Sequence, residues 1–113
     1  MDNIVIFGAP GSGKGTYSAA LVEKFGYNHI STGDVLRAEI REGTELGKIA
    51  ERYIEKGQLI PDDLIIDMLA DVYDTMREGP GVIFDGFPRT IVQAKALKDM
   101  LQARGEKISV TLN

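Results

Sequence analysis

The chain contains no cysteine, and its 113 residues carry a net charge of −4. Without cysteine it can form neither a disulfide framework nor a thiolate zinc site. The acidic balance argues against nucleic-acid polymers and anionic membranes as partners. No apolar stretch approaches the length that spans a bilayer, and there are no repeats or low-complexity tracts. These absences predict a soluble, cytoplasmic protein of one domain with a single hydrophobic core.

What the chain does contain is an alternation of strand and helix patterns. Apolar runs predict strands at residues 4–7 and 82–84, and two further short strands are predicted at 27–31 and 108–112. Helical patterns fill the intervals, at residues 14–25, in two stretches within 33–56, from Pro61 to about residue 78, and at 91–104. In the helix that begins at Pro61, the predicted buried stripe is Ile65, Leu69, Val72 and Met76. Strands separated by helical crossovers predict an α/β fold with a parallel sheet.

The most informative segment is the glycine-rich run at residues 8–16, Gly-Ala-Pro-Gly-Ser-Gly-Lys-Gly-Thr, which follows the first strand. Such a loop points backbone N–H groups at phosphate oxygens, and the helix after it adds its positive dipole end. The pattern G-x-x-x-x-G-K-[ST] matches through Lys14, and the hydroxyl arrives one place late, at Thr16. An ordinary glycine-rich turn is the alternative. The flanking strand and helix favour a phosphate loop that binds a nucleoside triphosphate.

A second polar segment, Asp-Gly-Phe-Pro-Arg-Thr at residues 85–90, follows the third strand. Ligands of parallel sheets bind beyond the carboxyl ends of the strands, so this segment is expected to face the same crevice as the loop. Asp85 suits water-mediated magnesium binding, and Arg89 can grip a phosphate with two hydrogen bonds. The structural alternatives are a strand-end turn and a surface ion pair. Thr90 and Gln93 form a predicted capping box.

A third segment, Ser-Thr-Gly-Asp at residues 31–34, follows the second strand, with Arg37 one turn later. Ser31 and Asp34 also match a helix capping box, which needs no ligand. That alternative leaves Arg37 unexplained. We predict a structural role for His29, the single histidine of the chain.

In order and spacing, the three segments resemble those of adenylate kinases, and the resemblance covers the whole chain. It implies reversible phosphoryl transfer, ATP + AMP to two ADP, with Mg²⁺. It also implies a phosphate-loop sheet with flanking helices and a small helical insert that binds the nucleoside monophosphate. By this resemblance, residues 1–113 are an incomplete kinase core, residues 31–60 are the insert, and the full-length parent is a monomer.

The resemblance also implies a role for individual residues. The ATP phosphates would contact Gly11, Ser12, Gly13, Lys14, Gly15 and Thr16. AMP would contact Thr32, Arg37, Gln58, Leu59, Ile60, Gly86, Phe87, Pro88, Arg89 and Gln93, with Ile54 nearby. Within these sets Arg89 would hold the AMP phosphate and Gln93 would read the adenine edge. The catalytic cations would be Lys14, Arg37 and Arg89, and Mg²⁺ would be held by Asp85 through water and by Thr16.

Family members continue past residue 113 into a lid over ATP, further arginines and a last strand, which we expect this chain to lack. Because such arginines can each accelerate transfer by about 10³–10⁵, we expect weak or no turnover by the chain alone. Two alternatives remain open: an inert AMP-binding fragment, and another small phosphate-loop monophosphate kinase. In the family's strand order the fourth strand lies beside the first. Residues 108–112 would then expose an edge through which two copies could associate.

Overall fold

The computed structural model describes residues 1–6 and 14–112. Its elements follow one another as β1 (Asp2–Ile6), α1 (Lys14–Phe25), β2 (Asn28–Ser31), α2 (Thr32–Glu42), α3 (Glu45–Glu55), α4 (Asp62–Asp74), β3 (Gly81–Asp85), α5 (Ile91–Gln102) and β4 (Val110–Leu112). Each predicted strand and helix is present, and the ends differ by a few residues. Phe7, predicted as the end of the first strand, lies outside the described residues. No helix in this part of the chain is both long and apolar enough to cross a membrane.

The four strands form one parallel sheet in the order β2-β3-β1-β4. The predicted α/β fold with a parallel sheet is therefore confirmed, as is the position of the fourth strand beside the first. β3 lies between β2 and β1, and its residues Gly81 to Phe84 are buried. This burial explains why β3 is uniformly apolar rather than alternating between polar and apolar residues.

Helices cover both faces of the sheet. Because successive side chains of a strand point to opposite faces, Val5 lies on one face of β1, and Ile4 and Ile6 lie on the other. The face of Val5 packs against α4 and α5, through buried residues that include Leu69 and Leu97. On the opposite face, residues contacting the sheet are Leu21 of α1 and Tyr27. The two-sided covering leaves the ends of the strands as the places where polar groups can meet a ligand.

The helices α2 and α3 pack on each other and on α4, around the buried residues Ala50, Leu64 and Met68. The close contact between α2 and α3 depends on Gly47. A β-carbon on Gly47 would lie 2.0 Å from the carbonyl oxygen of Glu39, where backbone cannot give way. The Thr44 hydroxyl caps α3 by accepting a hydrogen bond from the Gly47 amide at 3.0 Å.

The buried stripe predicted for α4 is partly wrong. Leu69 is buried, but Ile65, Val72 and Met76 are only partly buried, and the other fully buried residues of α4 are Leu64, Met68 and Tyr73. The cause is that α4 packs on two partners. Leu69 and Tyr73 contact the sheet, while Leu64 and Met68 contact α2 and α3, so the buried face is wider than one stripe.

Candidate functional site

The three motif segments meet at the carboxyl edge of the sheet. Asp85 at the end of β3 is paired with Ser31 at the end of β2 and with Ile6 at the end of β1. The glycine-rich run therefore follows a strand that ends level with the other two segments. Gly11, Ser12 and Gly13 lie outside the described residues. The first turn of α1 begins with the backbone of Lys14, Gly15 and Thr16. The structure describes only the backbone of these three residues.

Two contacts join the end of β3 to the neighbouring segment. The Thr32 hydroxyl, at the start of α2, donates a hydrogen bond to the carbonyl oxygen of Asp85 at 3.2 Å. The Asp85 carboxylate lies 3.1 Å from Nε2 of His29, which is consistent with the structural role predicted for this histidine. The contacts hold β2, β3 and the beginning of α2 in a fixed relation at this edge.

Beyond β3 the chain turns at Gly86, whose φ of +88° lies in the left-handed region that favours glycine. The position of a β-carbon on Gly86 would be 3.6 Å from a guanidinium nitrogen of Arg89 and 3.7 Å from the Thr32 hydroxyl oxygen. One point is therefore within 4 Å of a hydroxyl and a guanidinium nitrogen that come from different motifs. Because glycine has no side chain, the space between the Thr32 hydroxyl and the Arg89 guanidinium stays open.

The Arg89 side chain is exposed, and its Nε donates a hydrogen bond to the carbonyl oxygen of Gly86 at 2.9 Å. Among the described residues, no carboxylate forms an ion pair with Arg89. The bond to Gly86 uses one of the five guanidinium N–H donors, so the remaining four can bind an anion. Arg89 is thus held in place without its charge being neutralised.

Arg37 is also exposed, but it forms an ion pair with Asp34, one turn before it on α2. This pair corrects one expectation. Ser31 occupies the N-cap position of α2, yet its side chain makes no capping hydrogen bond. The Asp34 carboxylate of the predicted capping box instead pairs with the Arg37 guanidinium, an opposite charge one turn away on the same helix face. The two side chains are more than two-thirds exposed, so a phosphate could replace Asp34 as the partner of Arg37 at small cost.

The capping interaction predicted for α5 is confirmed. The Thr90 hydroxyl accepts a hydrogen bond from the Gln93 amide nitrogen at 3.1 Å. The Gln93 side chain returns a bond, since its Oε1 accepts from the Arg89 backbone N–H at 2.8 Å. Its Nε2 donates to Oδ1 of Asp62, in the first turn of α4, at 2.9 Å. Gln93 therefore links the segment after β3, which contains Arg89, to the first turn of α4, which follows α3 in the chain.

The remaining predicted contact residues fall into two groups. Leu59 is 94% exposed and Ile54 is 50% exposed, so both apolar side chains are accessible to a ligand. Gln58 is exposed, and Ile60 packs partly against the cluster between α3 and α4. By contrast, the side chains of Phe87 and Pro88 are buried. A ligand could reach those two residues only through their backbone.

A magnesium ion bound as predicted would need few protein ligands. Mg²⁺ usually keeps several waters and is bound by one or two carboxylates together with substrate phosphates. Asp85 offers one carboxylate at the edge where the phosphate loop begins, so the residues present fit this mode. The described residues contain no cluster of three or more histidine, cysteine or acidic side chains, which a site made of protein ligands alone would need.

Sequence reasoning missed Asp62 as part of this edge. Its position after Pro61 indicates only a helix start, and its partner is 31 residues away. The sequence also gave no sign that His29 pairs with Asp85, a contact that spans 56 residues. In both cases a motif residue acquires its partner through the register of the sheet and the packing of helices.

The chain was compared with known proteins. The sequence profile of the family described as Adenylate kinase matches residues 6–113. The adenylate kinase of Phocaeicola vulgatus is 70% identical over all 113 residues, and that of Bacteroides thetaiotaomicron is 69% identical. The adenylate kinase of Porphyromonas gingivalis is 54% identical. The chain covers 60% of the length of the first two relatives and 58% of the third. The chain therefore belongs to the adenylate kinase family.

Proposed function

We propose that this chain binds AMP and the phosphates of ATP and takes part in reversible phosphoryl transfer between them, giving two ADP, in the cytoplasm. The observation that carries the proposal is the convergence of the Thr32 hydroxyl and the Arg89 guanidinium around Gly86, at the edge where β1 leads into the phosphate loop. Because the chain spans about 60% of the length of its relatives, the reaction of the whole protein is part of the proposal.

The AMP side of the site consists of two groups of residues. Arg89 and Arg37 supply positive charge for the phosphate, and Thr32 supplies a hydroxyl beside it. Exposed apolar side chains of the proposed insert, residues 31–60, would cover the base, with Leu59 and Ile54 as the most exposed. Gln93 would read the adenine edge. The insert and the segment after β3 then contact opposite sides of one nucleotide.

The ATP side begins at the first turn of α1. Residues from Gly11 to Thr16 would surround the phosphates with backbone N–H groups, and Lys14 would add a positive charge. Mg²⁺ would be held by Asp85 through water and by Thr16, and it would offset negative charge on the ATP phosphates. Asp85 fits this role because its carboxylate ends the strand adjacent to β1.

The chemistry needs positioning more than covalent help. Phosphoryl transfer demands that two nucleotides be held in line while the charge on the moving group is neutralised. Lys14, Arg37 and Arg89 would provide that neutralisation. No catalytic base is required, because the AMP phosphate is already an anionic nucleophile.

The test is ADP formation from ATP and AMP with Mg²⁺, followed by chromatography for the wild-type chain and for Lys14→Met. Lys24→Met, an exposed lysine in the last turn of α1, is the matched control for loss of one charge from this helix. We expect slow turnover by the wild type and by Lys24→Met, and none by Lys14→Met. Equal ADP formation in all three would indicate contaminating kinase and would contradict turnover by this chain.

We also propose that two copies of the 113-residue chain associate through β4. Within the described part of the chain, β4 pairs with β1 along one edge and with no strand along the other. Unpaired backbone groups at a sheet edge favour pairing with another chain. Sedimentation velocity should show an oligomer whose fraction rises with concentration, and a monomer at all concentrations would contradict this proposal.

A further inference from the structure

The side-chain amide of Gln93 is held at both of its ends. Its Oε1 accepts from the Arg89 backbone N–H at 2.8 Å, and its Nε2 donates to Asp62 Oδ1 at 2.9 Å. A backbone N–H can only donate, and an ionised carboxylate can only accept. The two partners therefore permit only one orientation of the amide. In the reversed orientation, the amide NH₂ would face the Arg89 N–H, and the amide oxygen would face the Asp62 carboxylate.

The fixed amide still has capacity for a ligand. An amide nitrogen has two N–H donors and an amide oxygen has two lone pairs. One of each is used by Asp62 and by the Arg89 backbone, so one donor and one lone pair remain. The Gln93 backbone is fixed as well, because its N–H donates to the Thr90 hydroxyl at 3.1 Å. Gln93 thus keeps one donor on its nitrogen and one acceptor on its oxygen, and the two partners fix which end of the amide carries which.

This fixed arrangement of donor and acceptor distinguishes two purines. Adenine offers an acceptor at N1 and an amino donor at C6, which match the free N–H and the free lone pair of the fixed amide. Hypoxanthine offers a donor at N1 and a carbonyl acceptor at C6, which would match only the reversed amide. The reversed amide is disfavoured by the Asp62 carboxylate and by the Arg89 N–H together.

We propose that Asp62 is a positioning residue that sets the preference of the site for adenine over hypoxanthine. By accepting a hydrogen bond from Gln93, it fixes the order of donor and acceptor that faces the base. The inference rests on the proposed function, in which Gln93 faces the adenine edge of AMP. Asp62 lies two residues after Ile60, the last residue of the segment from Gln58 to Ile60, so its bond also joins the two parts of the proposed AMP site.

The test is calorimetric titration of the 113-residue chain with AMP and with IMP, which differ at the edge that Gln93 would read. Asp62→Ala should reduce the ratio of AMP to IMP affinity about ten-fold, as expected for loss of a hydrogen bond to a charged group. Asp62→Asn should retain most of the ratio, because its amide oxygen can still accept from Gln93. Asp63→Ala is the matched control, since Asp63 is exposed in the same first turn of α4 and should leave the ratio unchanged.

A double-mutant cycle separates positioning from folding. Gln93→Ala should lose the same preference, and adding Asp62→Ala to Gln93→Ala should change the ratio no further. The inference would be overturned if Asp62→Ala left the ratio of AMP to IMP affinity unchanged, or if Asp62→Ala and Asp63→Ala lowered that ratio equally. Either result would still be compatible with AMP binding by the chain. A wild-type chain that binds neither nucleotide would instead contradict the proposed function, and the inference with it.

Discussion

The two ends of the sheet use polar groups in opposite ways. At the amino end, the fully buried Asn3 has four hydrogen-bond partners: the Tyr73 hydroxyl at 2.7 Å, the Lys107 carbonyl at 2.9 Å, the Glu106 carboxylate at 3.4 Å and, through its backbone, Ser109. At the carboxyl end, Arg37 and Arg89 are exposed, and each retains donors that no described residue uses. The buried polar groups at the amino end are satisfied and stabilise the fold, whereas the exposed guanidinium groups at the carboxyl end keep N–H donors that could bind an anion.

Charged groups near the amino end are satisfied in the same way. Arg104 binds Asp74 with two hydrogen bonds, of 2.6 and 3.1 Å. The hydrogen bond from Arg104 lowers the pKa of the Asp74 carboxyl, and the same bond raises the pKa of Arg104. Burial raises the pKa of the Tyr73 phenol, with a smaller contribution from the charge of Glu106. Substitutions at this end should therefore change stability, and substitutions at the carboxyl end should change binding.

The largest expected effect is that of Asn3→Ala. The change leaves the Tyr73 hydroxyl without its partner in a buried site and also removes the bond to the Lys107 carbonyl, so the free energy of unfolding should fall by about 2–4 kcal/mol. Tyr73→Phe removes one of these bonds and should cost about half as much. Urea unfolding measures both. An Asn3→Ala chain as stable as wild type, or one whose folded fraction binds AMP more weakly, would break the comparison.

The second effect is that of Arg89→Ala, which should separate binding from stability. AMP affinity should fall about 10–100-fold, because charge-assisted bonds to the phosphate are lost. The free energy of unfolding should change by less than about 0.5 kcal/mol, because the side chain is exposed. Lys95→Ala is the control, since Lys95 is a second exposed cation, lies within α5 and forms an ion pair with Asp99. Equal losses of affinity in both variants would indicate general charge attraction.

The smallest effect is the pH dependence from Asp74. Its folded pKa is depressed below the ordinary 3.8, so the pair stabilises the fold above that pH and the contribution is lost as pH falls through the folded pKa. Asp74→Asn should lower stability at pH 7 by about 0.5 kcal/mol, discounted for partial exposure, and should match wild type at the acid limit. Asp67→Asn, exposed on the same helix, serves as the control. A difference from wild type that persists at the acid limit, below the folded pKa of Asp74, would assign the effect to packing.

Strands, helices and capping bonds could be predicted from the sequence where the residues involved are close together in the chain. β1 and β3 were predictable because each contains a short apolar run, and α1 ends at Phe25, where the predicted helix ends. The capping bond of Thr90 was predictable because it spans three residues. Local signals of this kind suffice for elements and for motifs that keep their residues together.

Contacts between distant residues were not predictable from local signals. Asn3 precedes an apolar run and resembles an ordinary strand start, yet its partners are Tyr73 and residues near 107. Asp62 and Gln93 come together only after α4 and α5 have packed. The capping box of Ser31 was wrong because Arg37 takes the carboxylate of Asp34. In the first two cases, the packing of distant elements creates a contact that local sequence patterns do not indicate.

The most direct test of the account is chemical-shift mapping of the ¹⁵N-labelled chain during titration with AMP. The account predicts that the largest shifts belong to residues 32–37, 58–60 and 85–93, at the carboxyl end, and that Asn3, Tyr73 and residues 106–109 do not change. Shifts that are absent, or that are as large at the amino end as at the carboxyl end, would contradict the division of the molecule into a stabilising end and a binding end.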